Sequence, residues 1–210
     1  MFVRMTRAQT SPDRLDEAAK IWKEQVLPGA RQQAGFSGAA LLVDRATGEG
    51  MTVTYWASEA ALRASEADAD ARRGQIAQTT GGQIVEVDRF ELVVWERGAA
   101  PKANTFIRIN DIKGAPDKID DGIRFVQEQV LPAVKALKGY RALIMGVNRA
   151  SGRVFVTTVW DSIADREASD AAVAAQRRQG GQTLGAQSVK VDNYEALVVE
   201  IDVPATIGAG

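Results

Sequence analysis

The chain has 210 residues, of which 45% are hydrophobic and 25% are charged, and its formal net charge is −1. This composition is typical of a globular protein, and the near-neutral charge offers no basic surface for nucleic acid or an anionic membrane. Because cysteine and histidine are absent, the sequence excludes disulfides, thiolate nucleophiles, imidazole bases and metal or haem sites with cysteine or histidine ligands. We therefore expect no metal and no cofactor.

From the sequence we expect no signal peptide and no membrane-spanning segment. The N-terminus has no basic region followed by an apolar segment, and apolar stretches such as residues 39–43 are too short to span a bilayer. These features predict a cytoplasmic protein with no membrane and no nucleic-acid partner.

The chain consists of two tandem copies of one module. Adding 104 to each position from 2 to 96 gives its counterpart without a gap, and about 35 of the 95 aligned positions are identical. A period of this length is that of a domain rather than of a solenoid repeat. The predicted organisation is a first repeat at 1–97, a linker at 98–105, a second repeat at 106–202 and a flexible tail at 203–210.

Each repeat begins with a short strand, at Phe2 or Phe106, followed by an amphipathic helix. In the first repeat the helix has an apolar stripe at three- and four-residue spacing, and a proline, Pro28 or Pro132, should kink or restart each helix. The residues of the first stripe are Leu15, Ala19, Trp22, Val26 and Ala30.

A hairpin then ends at Trp56 or Trp160, and Ser58 or Ser162 should cap a second helix. The predicted second helices are 58–73 and 162–177, residues 74–82 form a predicted loop, and the last strands are predicted at 84–96 and 188–201.

The element order β-α-β-β-α-β is that of the ferredoxin-like unit, whose sheet has one face covered by helices and one face bare. We expect the two repeats to cover each other's bare faces. The predicted fold is therefore α+β, with two ferredoxin-like repeats packed sheet to sheet as an intramolecular barrel. In this pseudo-dimer the partner is part of the chain, and a further homodimer is left open.

Each repeat resembles the dimeric α+β barrel superfamily and, within it, the antibiotic-biosynthesis-monooxygenase-like (ABM-like) domains. The matching motifs are a helix end, a strand start and a helix cap, which carry structure rather than chemistry. In the first repeat they are Val26-Leu27-Pro28, Ala34-Gly35-Phe36 and Trp56-Ala57-Ser58, and in the second Val130-Leu131-Pro132, Lys138-Gly139-Tyr140 and Trp160-Asp161-Ser162. The resemblance implies a pocket between helices and sheet, and oxidation of aromatic or quinol-like compounds without metal or flavin.

Some members of this superfamily degrade haem with an Asn, a Trp and a His. Asn110 falls at the Asn position of the second repeat, whereas the first repeat has Thr6 there. The Trp and His positions are occupied by other residues, near Ser65, Ser169, Gln75 and Gln179. The chain thus departs from the haem-degrading pattern.

Strand alternation places Phe2, Arg4 and Thr6 on one face of the first strand, and Phe106, Arg108 and Asn110 on the equivalent face of the second repeat. An arginine on a buried face could hold a phenolate, enolate or carboxylate, so Arg108, Asn110 and Arg4 are the candidate catalytic residues. The alternative is a structural ion pair with a carboxylate of the last strand, such as Glu96 or Glu200.

Aromatic side chains near these arginines are candidates for substrate binding, and the alternative is plain core packing, which helical spacing favours for Trp22. They are Trp22, Phe106, Phe2, Tyr194 and Trp95.

Two functions remain open. The first is a cofactor-independent monooxygenase-like protein acting on a small aromatic or quinol-type compound. The second is a non-catalytic protein that binds a small hydrophobic ligand, or a scaffold whose pockets have filled in. Because the repeats differ at candidate pocket positions, at most one competent site is expected, and pockets below about 300 Å³ in both repeats would count against an enzyme.

Overall fold

The structure of the protein is a computed structural model that describes residues 1–202 and 206–207. The elements of the first repeat are β1 (Phe2–Gln9), α1 (Leu15–Ile21), α2 (Leu27–Arg31), β2 (Phe36–Asp44), β3 (Glu49–Trp56), α3 (Glu59–Ala64), α4 (Glu66–Thr80) and β4 (Gln83–Arg97). Those of the second are β5 (Phe106–Lys113), α5 (Ile119–Phe125), α6 (Leu131–Lys135), β6 (Tyr140–Asn148), β7 (Arg153–Trp160), α7 (Ile163–Thr183) and β8 (Ser188–Ile201). The predicted α+β class with two ferredoxin-like repeats is confirmed.

The predicted tail at 203–210 lies outside the described residues except for Thr206–Ile207. These two residues form a short strand, β9, whose backbone pairs with Trp95 and Glu96 of β4.

The first helix of each repeat is interrupted where the prolines predict it. A π-helical turn, Trp22–Val26, joins α1 to α2, and Val126–Val130 joins α5 to α6. Proline cannot donate to the carbonyl four residues earlier, so the helix widens immediately before Pro28 and then resumes.

The second helices begin as predicted but end later. The hydroxyl of Ser58 accepts a hydrogen bond from the backbone N–H of Ala61, and Ser162 caps α7 in the same way. The predicted loop at 74–82 is wrong, because helix α4 continues to Thr80. A glycine inside a helix, such as Gly74, destabilises the helix by only about 1 kcal/mol, so the helix continues through it. Gly81, at φ 64°, adopts the left-handed conformation that ends the helix.

The chain divides into two compact units that do not coincide with the sequence repeats. The first unit contains residues 1–89, 101–104 and the part of β8 from Tyr194 onward, and the second contains residues 105–193 and the part of β4 from Phe90 onward. Each unit thus borrows a strand segment from the other repeat. The strand order is β1-β3-β2-β8 in the first unit and β5-β7-β6-β4 in the second.

Candidate functional site

The first unit contains a cavity of about 130 Å³ between its sheet and its helices. Strand β1 contributes Arg4 and Thr6 to its lining, the π-helical turn contributes Trp22, and helix α4 contributes Ala69 and Arg72. The complete predicted stripe of the first helix also lines it, namely Leu15, Ala19, Trp22, Val26 and Ala30. The cavity therefore lies between helices and sheet, where the family resemblance implies a pocket.

Arg4 is the buried cation of this cavity, with 4% of the residue exposed. Its Nη2 donates to the carbonyl of Leu62 at 2.9 Å, to Ser65 Oγ at 2.6 Å and to Glu66 Oε2 at 3.1 Å. Its guanidinium carbon lies 5.5 Å from the centre of the Trp56 ring, in the range of a cation–π contact. Burial lowers the pKa of Arg4, and Glu66 partly offsets this effect.

Glu66 is shared by three arginines. Besides Arg4, its carboxylate accepts hydrogen bonds from Arg89, at 2.6 and 3.1 Å, and from Arg73 at 3.0 Å. Burial alone would raise the pKa of Glu66, but the guanidinium groups of Arg89, Arg4 and Arg73 outweigh it, and the pKa lies below its ordinary value. Arg73 has a second carboxylate partner in Asp70, so Glu66 is not the sole counter-charge of this group of arginines.

Arg72 spans the space between α4 and the first helix. Its Nε and Nη2 donate to Asp68 at 2.8 and 3.1 Å, and its Nη1 donates to the carbonyl of Gln25 at 3.2 Å. The guanidinium packs on the backbone of Gly29 so closely that a Cβ there would lie 2.3 Å from the Arg72 Cζ. Glycine at position 29 is what allows this arginine to lie across the two helices.

The second unit has an equivalent but smaller cavity, of about 60 Å³. Arg108 lines it and is 5% exposed; its Nη1 donates to Ser169 Oγ and its Nη2 to the carbonyl of Arg166, both at 2.9 Å. Its nearest carboxylate, Asp170, lies 3.6 Å away and its side chain is 53% exposed. Burial lowers the pKa of Arg108 as it lowers that of Arg4.

Larger side chains stand at several equivalent positions of the second cavity, although Trp22 and Ile76 are matched there by the smaller Val126 and Gly180. The substitutions from first to second repeat are Ala8 to Ile112, Ala30 to Val134, Thr52 to Val156, Ala69 to Val173 and Thr80 to Leu184. Leu184 fills the space beside Gly122, where a Cβ would lie 2.3 Å from the leucine Cδ2. These larger residues join the buried core of the second unit.

The structure brings only part of the predicted site together. Arg4 and Trp22 line the first cavity, and Arg108 and Asn110 line the second. The other four predicted substrate-binding residues, Phe2, Phe106, Trp95 and Tyr194, line neither cavity. The proposed ion-pair partners are wrong, because Glu96 pairs with Lys135 and Glu200 with Arg31.

Tyr194 has a different set of contacts. Its hydroxyl donates to Glu49 and accepts from Arg7 Nη1 at 2.7 Å, in a buried cluster of the first unit. This cluster joins the borrowed strand segment to β1 and β3.

Sequence reasoning missed the residues that hold the arginines. The carboxylates come from the second helix, Glu66 and Asp170, rather than from the last strand. In the sequence, Ser65 and Ser169 stand out only as departures from the haem-degrading pattern, yet both accept a hydrogen bond from the buried arginine. The available signal was that this serine is identical in the two repeats.

Within residues 1–202 and 206–207, no group of three or more acidic side chains is placed to hold a metal ion. The helices of this part of the chain are also too short or too polar to cross a membrane.

Residues 1–75 match the family model of antibiotic biosynthesis monooxygenases. The predicted resemblance to this family is confirmed. An uncharacterized protein of Mycobacterium tuberculosis, Rv2557, is 26% identical over 185 residues, which cover 86% of this chain and 82% of that protein.

Solved structures share the fold over nearly the whole chain. An anthrone oxidase-like protein superposes with a TM-score of 0.70 at 13% identity, covering 99% of this chain and 96% of that one. A haem-degrading enzyme of Listeria monocytogenes has a TM-score of 0.52 at 10% identity, covering 93% and 99% of the two chains. At these identities the likeness establishes the ABM-like fold alone.

Proposed function

We propose that the first ABM-like repeat binds a small, single-ring phenolic or quinol-type compound as its anion. We further propose that it oxidises this compound with dioxygen, without a metal or prosthetic group. The observation that carries the proposal is the buried cation of Arg4 at a largely apolar cavity of about 130 Å³.

The size of the cavity restricts the substrate. A cavity of about 150 Å³ lined by aliphatic and aromatic residues accommodates benzene, so the first cavity corresponds to one aromatic ring. Three fused rings, as in anthrone, would not fit without a large rearrangement. The proposal therefore departs from the substrate suggested by the anthrone oxidase-like structure.

The chemistry requires few protein groups. In a cofactor-free monooxygenation a substrate SH₂ reacts with O₂ to give S=O and H₂O. One oxygen atom enters the substrate, the other leaves as water, and the substrate supplies all four electrons that dioxygen takes up. The substrate first loses a proton, and a nearby cation in a water-poor pocket stabilises the resulting anion. Arg4 would provide this charge, and Trp22 with its apolar neighbours would exclude water.

The second candidate function is ligand binding without catalysis. Both cavities are smaller than the roughly 300 Å³ at which ligand sites usually begin, and by the criterion given in the sequence analysis this counts against an enzyme and in favour of the second function. A single-ring substrate is compatible with the volume, so the assay must separate binding from turnover.

The test is oxygen uptake by the full chain with a panel of single-ring hydroquinones. Arg4→Met keeps an unbranched side chain but removes the charge, and we expect it to lower the rate about 100-fold, as loss of an anion-stabilising group does. The matched variant is Arg108→Met, which should leave the rate unchanged.

Circular dichroism of both variants verifies that they are folded. Equal rates in wild type and Arg4→Met would contradict the proposed role of Arg4. Hydroquinone binding without any oxygen uptake in wild type would support the non-catalytic function instead.

A further inference from the structure

Two hydroxyl groups of the first cavity are available to a ligand. Thr6 and Thr52 line this cavity, and within residues 1–202 and 206–207 neither side-chain oxygen has a hydrogen-bond partner. Neither oxygen is among the polar atoms that the fold shields from water. Because Thr6 as a whole is only 6% exposed, the accessible surface of its hydroxyl faces the cavity that it lines.

The two threonines are direct cross-strand neighbours. Thr6 of β1 lies opposite Thr52 of β3 in the antiparallel register, and the Cβ atoms of such a pair are about 5 Å apart. A threonine hydroxyl both donates and accepts hydrogen bonds. The pair can therefore bind one ligand hydroxyl, with one threonine donating to it and the other accepting from it.

Arg4 lies on the same face of β1, two residues and about 7 Å before Thr6 along the strand. Its guanidinium leans further from Thr6, because it stacks on Trp56, which lies opposite Phe2 in the register. Nη1 of Arg4 also has no hydrogen-bond partner in the described part of the chain and is not shielded from water. The cavity thus offers a guanidinium N–H group and a hydroxyl pair that are well separated.

We propose that Thr6 and Thr52 bind the second oxygen of an aromatic ring whose ionised first oxygen lies at Arg4. This inference rests on the proposed function and narrows its substrate class to 1,4-dihydroxybenzenes. The two oxygens of such a ring lie at opposite ends, as the guanidinium and the threonine pair do. The adjacent oxygens of a catechol would reach only one of these two groups.

The second repeat lacks the hydroxyl pair although it keeps the arginine. Asn110 stands at the position of Thr6 and Val156 at that of Thr52, whereas Arg108 matches Arg4. The side-chain amide of Asn110 donates to the backbone carbonyl of Val156 at 3.2 Å, and the valine side chain has no polar group. The threonine pair therefore accompanies the wider of the two cavities.

The experiment is an anaerobic calorimetric titration of the full chain with hydroquinone, phenol and catechol at one pH. Without dioxygen no oxidation follows binding, so the result does not depend on catalysis. We expect hydroquinone to bind about tenfold more tightly than phenol, because it makes one further hydrogen-bonded contact. Catechol should bind no more tightly than phenol.

Thr52→Val tests the subsite, because it keeps the shape of the side chain and removes its hydroxyl. The affinity for hydroquinone should fall about tenfold, to that for phenol, while the affinity for phenol stays unchanged. Thr52→Ser keeps the hydroxyl and should retain the preference for hydroquinone. The matched variant Thr157→Val changes a threonine of β7 that is 7% exposed and lines neither cavity, and it should change neither affinity.

Loss of the preference for hydroquinone in folded Thr52→Val, with phenol binding retained, would support the threonine pair as the second subsite. Equal affinities of wild type for hydroquinone and phenol would overturn the inference and leave the proposed function standing. An unchanged affinity of Thr52→Val for hydroquinone would do the same. If none of the three compounds bound to wild type, the inference and the proposed function would both be wrong.

Discussion

The first repeat keeps a cavity wide enough for one aromatic ring, whereas the second repeat fills most of the equivalent space with branched side chains. Both repeats retain the same buried arginine, held by a serine and a helix carbonyl. The charge around that arginine differs, since Glu66 is shared by three arginines and Asp170 is more exposed. The anchored arginine is therefore common to both repeats, and the space beside it is what distinguishes the repeat proposed to bind a ligand.

The largest expected difference between the repeats is in core stability. Leu184 is 2% exposed and packs in the core of the second unit, so Leu184→Ala should lower the free energy of unfolding by about 3 kcal/mol. The equivalent Thr80→Ala should cost about 1 kcal/mol, because it removes chiefly one hydrogen bond to the carbonyl of Ile76. Urea unfolding of both variants measures the difference. Equal losses would mean that the second cavity is not filled as described.

The second largest difference in the free energy of unfolding is expected at Glu66 and Asp170, the carboxylates beside the two buried arginines. Glu66→Gln leaves buried Arg4 without its counter-charge and should cost about 2 kcal/mol, reduced from the value for a fully buried pair because Glu66 is 24% exposed. Asp170→Asn should cost less than about 1 kcal/mol, because Asp170 is 53% exposed and solvent screens it.

The ion pair of Glu66 with Arg4 also predicts that the free energy of unfolding depends on pH. The pKa of Glu66 is lowered in the folded state, so its contribution is fully present above the ordinary glutamate pKa of about 4.5 and is lost as the pH falls through the folded value. Unfolding free energies of wild type and Glu66→Gln should therefore converge in acid. A gap that stays constant down to pH 2 would show that the charge of Glu66 is not responsible.

The smallest effect is at the arginine that lies across the two helices of the first unit. Gly29→Ala introduces a Cβ that displaces the flexible Arg72 guanidinium, and it should change the free energy of unfolding by less than about 1 kcal/mol. It should nevertheless change hydroquinone affinity about threefold, because Arg72 lines the cavity. Titrations of wild type and variant measure this effect. Ala133→Gly, at the equivalent position of the second repeat, should leave the affinity unchanged.

Much of the fold could be predicted from the sequence because the two repeats can be compared with each other. The gap-free repeat, Pro28 and the capping serines all mark local features that recur in both copies. The sequence could not predict that β4 pairs with β6 and β8 with β2. The hydrophobic pattern of a strand is the same whichever repeat supplies its neighbour.

The candidate site was predicted only in part. Arg4 and Trp22 were found because strand alternation and helical spacing place them on inner faces. The partners of the arginines were assigned to the wrong element, because Glu66 begins a helix whose charged residues look uniformly solvated in the sequence. The difference between the cavities depends on small substitutions such as Ala69 to Val173, whose effect is visible only once the packing is known.

The most direct measurement uses the four tryptophans as local reporters. Trp22 and Trp56 line the first cavity, Trp160 lines the second, and Trp95 lines neither. In the chain labelled with 5-fluorotryptophan, ¹⁹F NMR during a hydroquinone titration should show saturable shifts of the Trp22 and Trp56 resonances, with Trp160 and Trp95 unchanged. A shift of Trp160 instead, or no shift of Trp22 at saturating hydroquinone, would contradict the claim that the first repeat holds the ligand site.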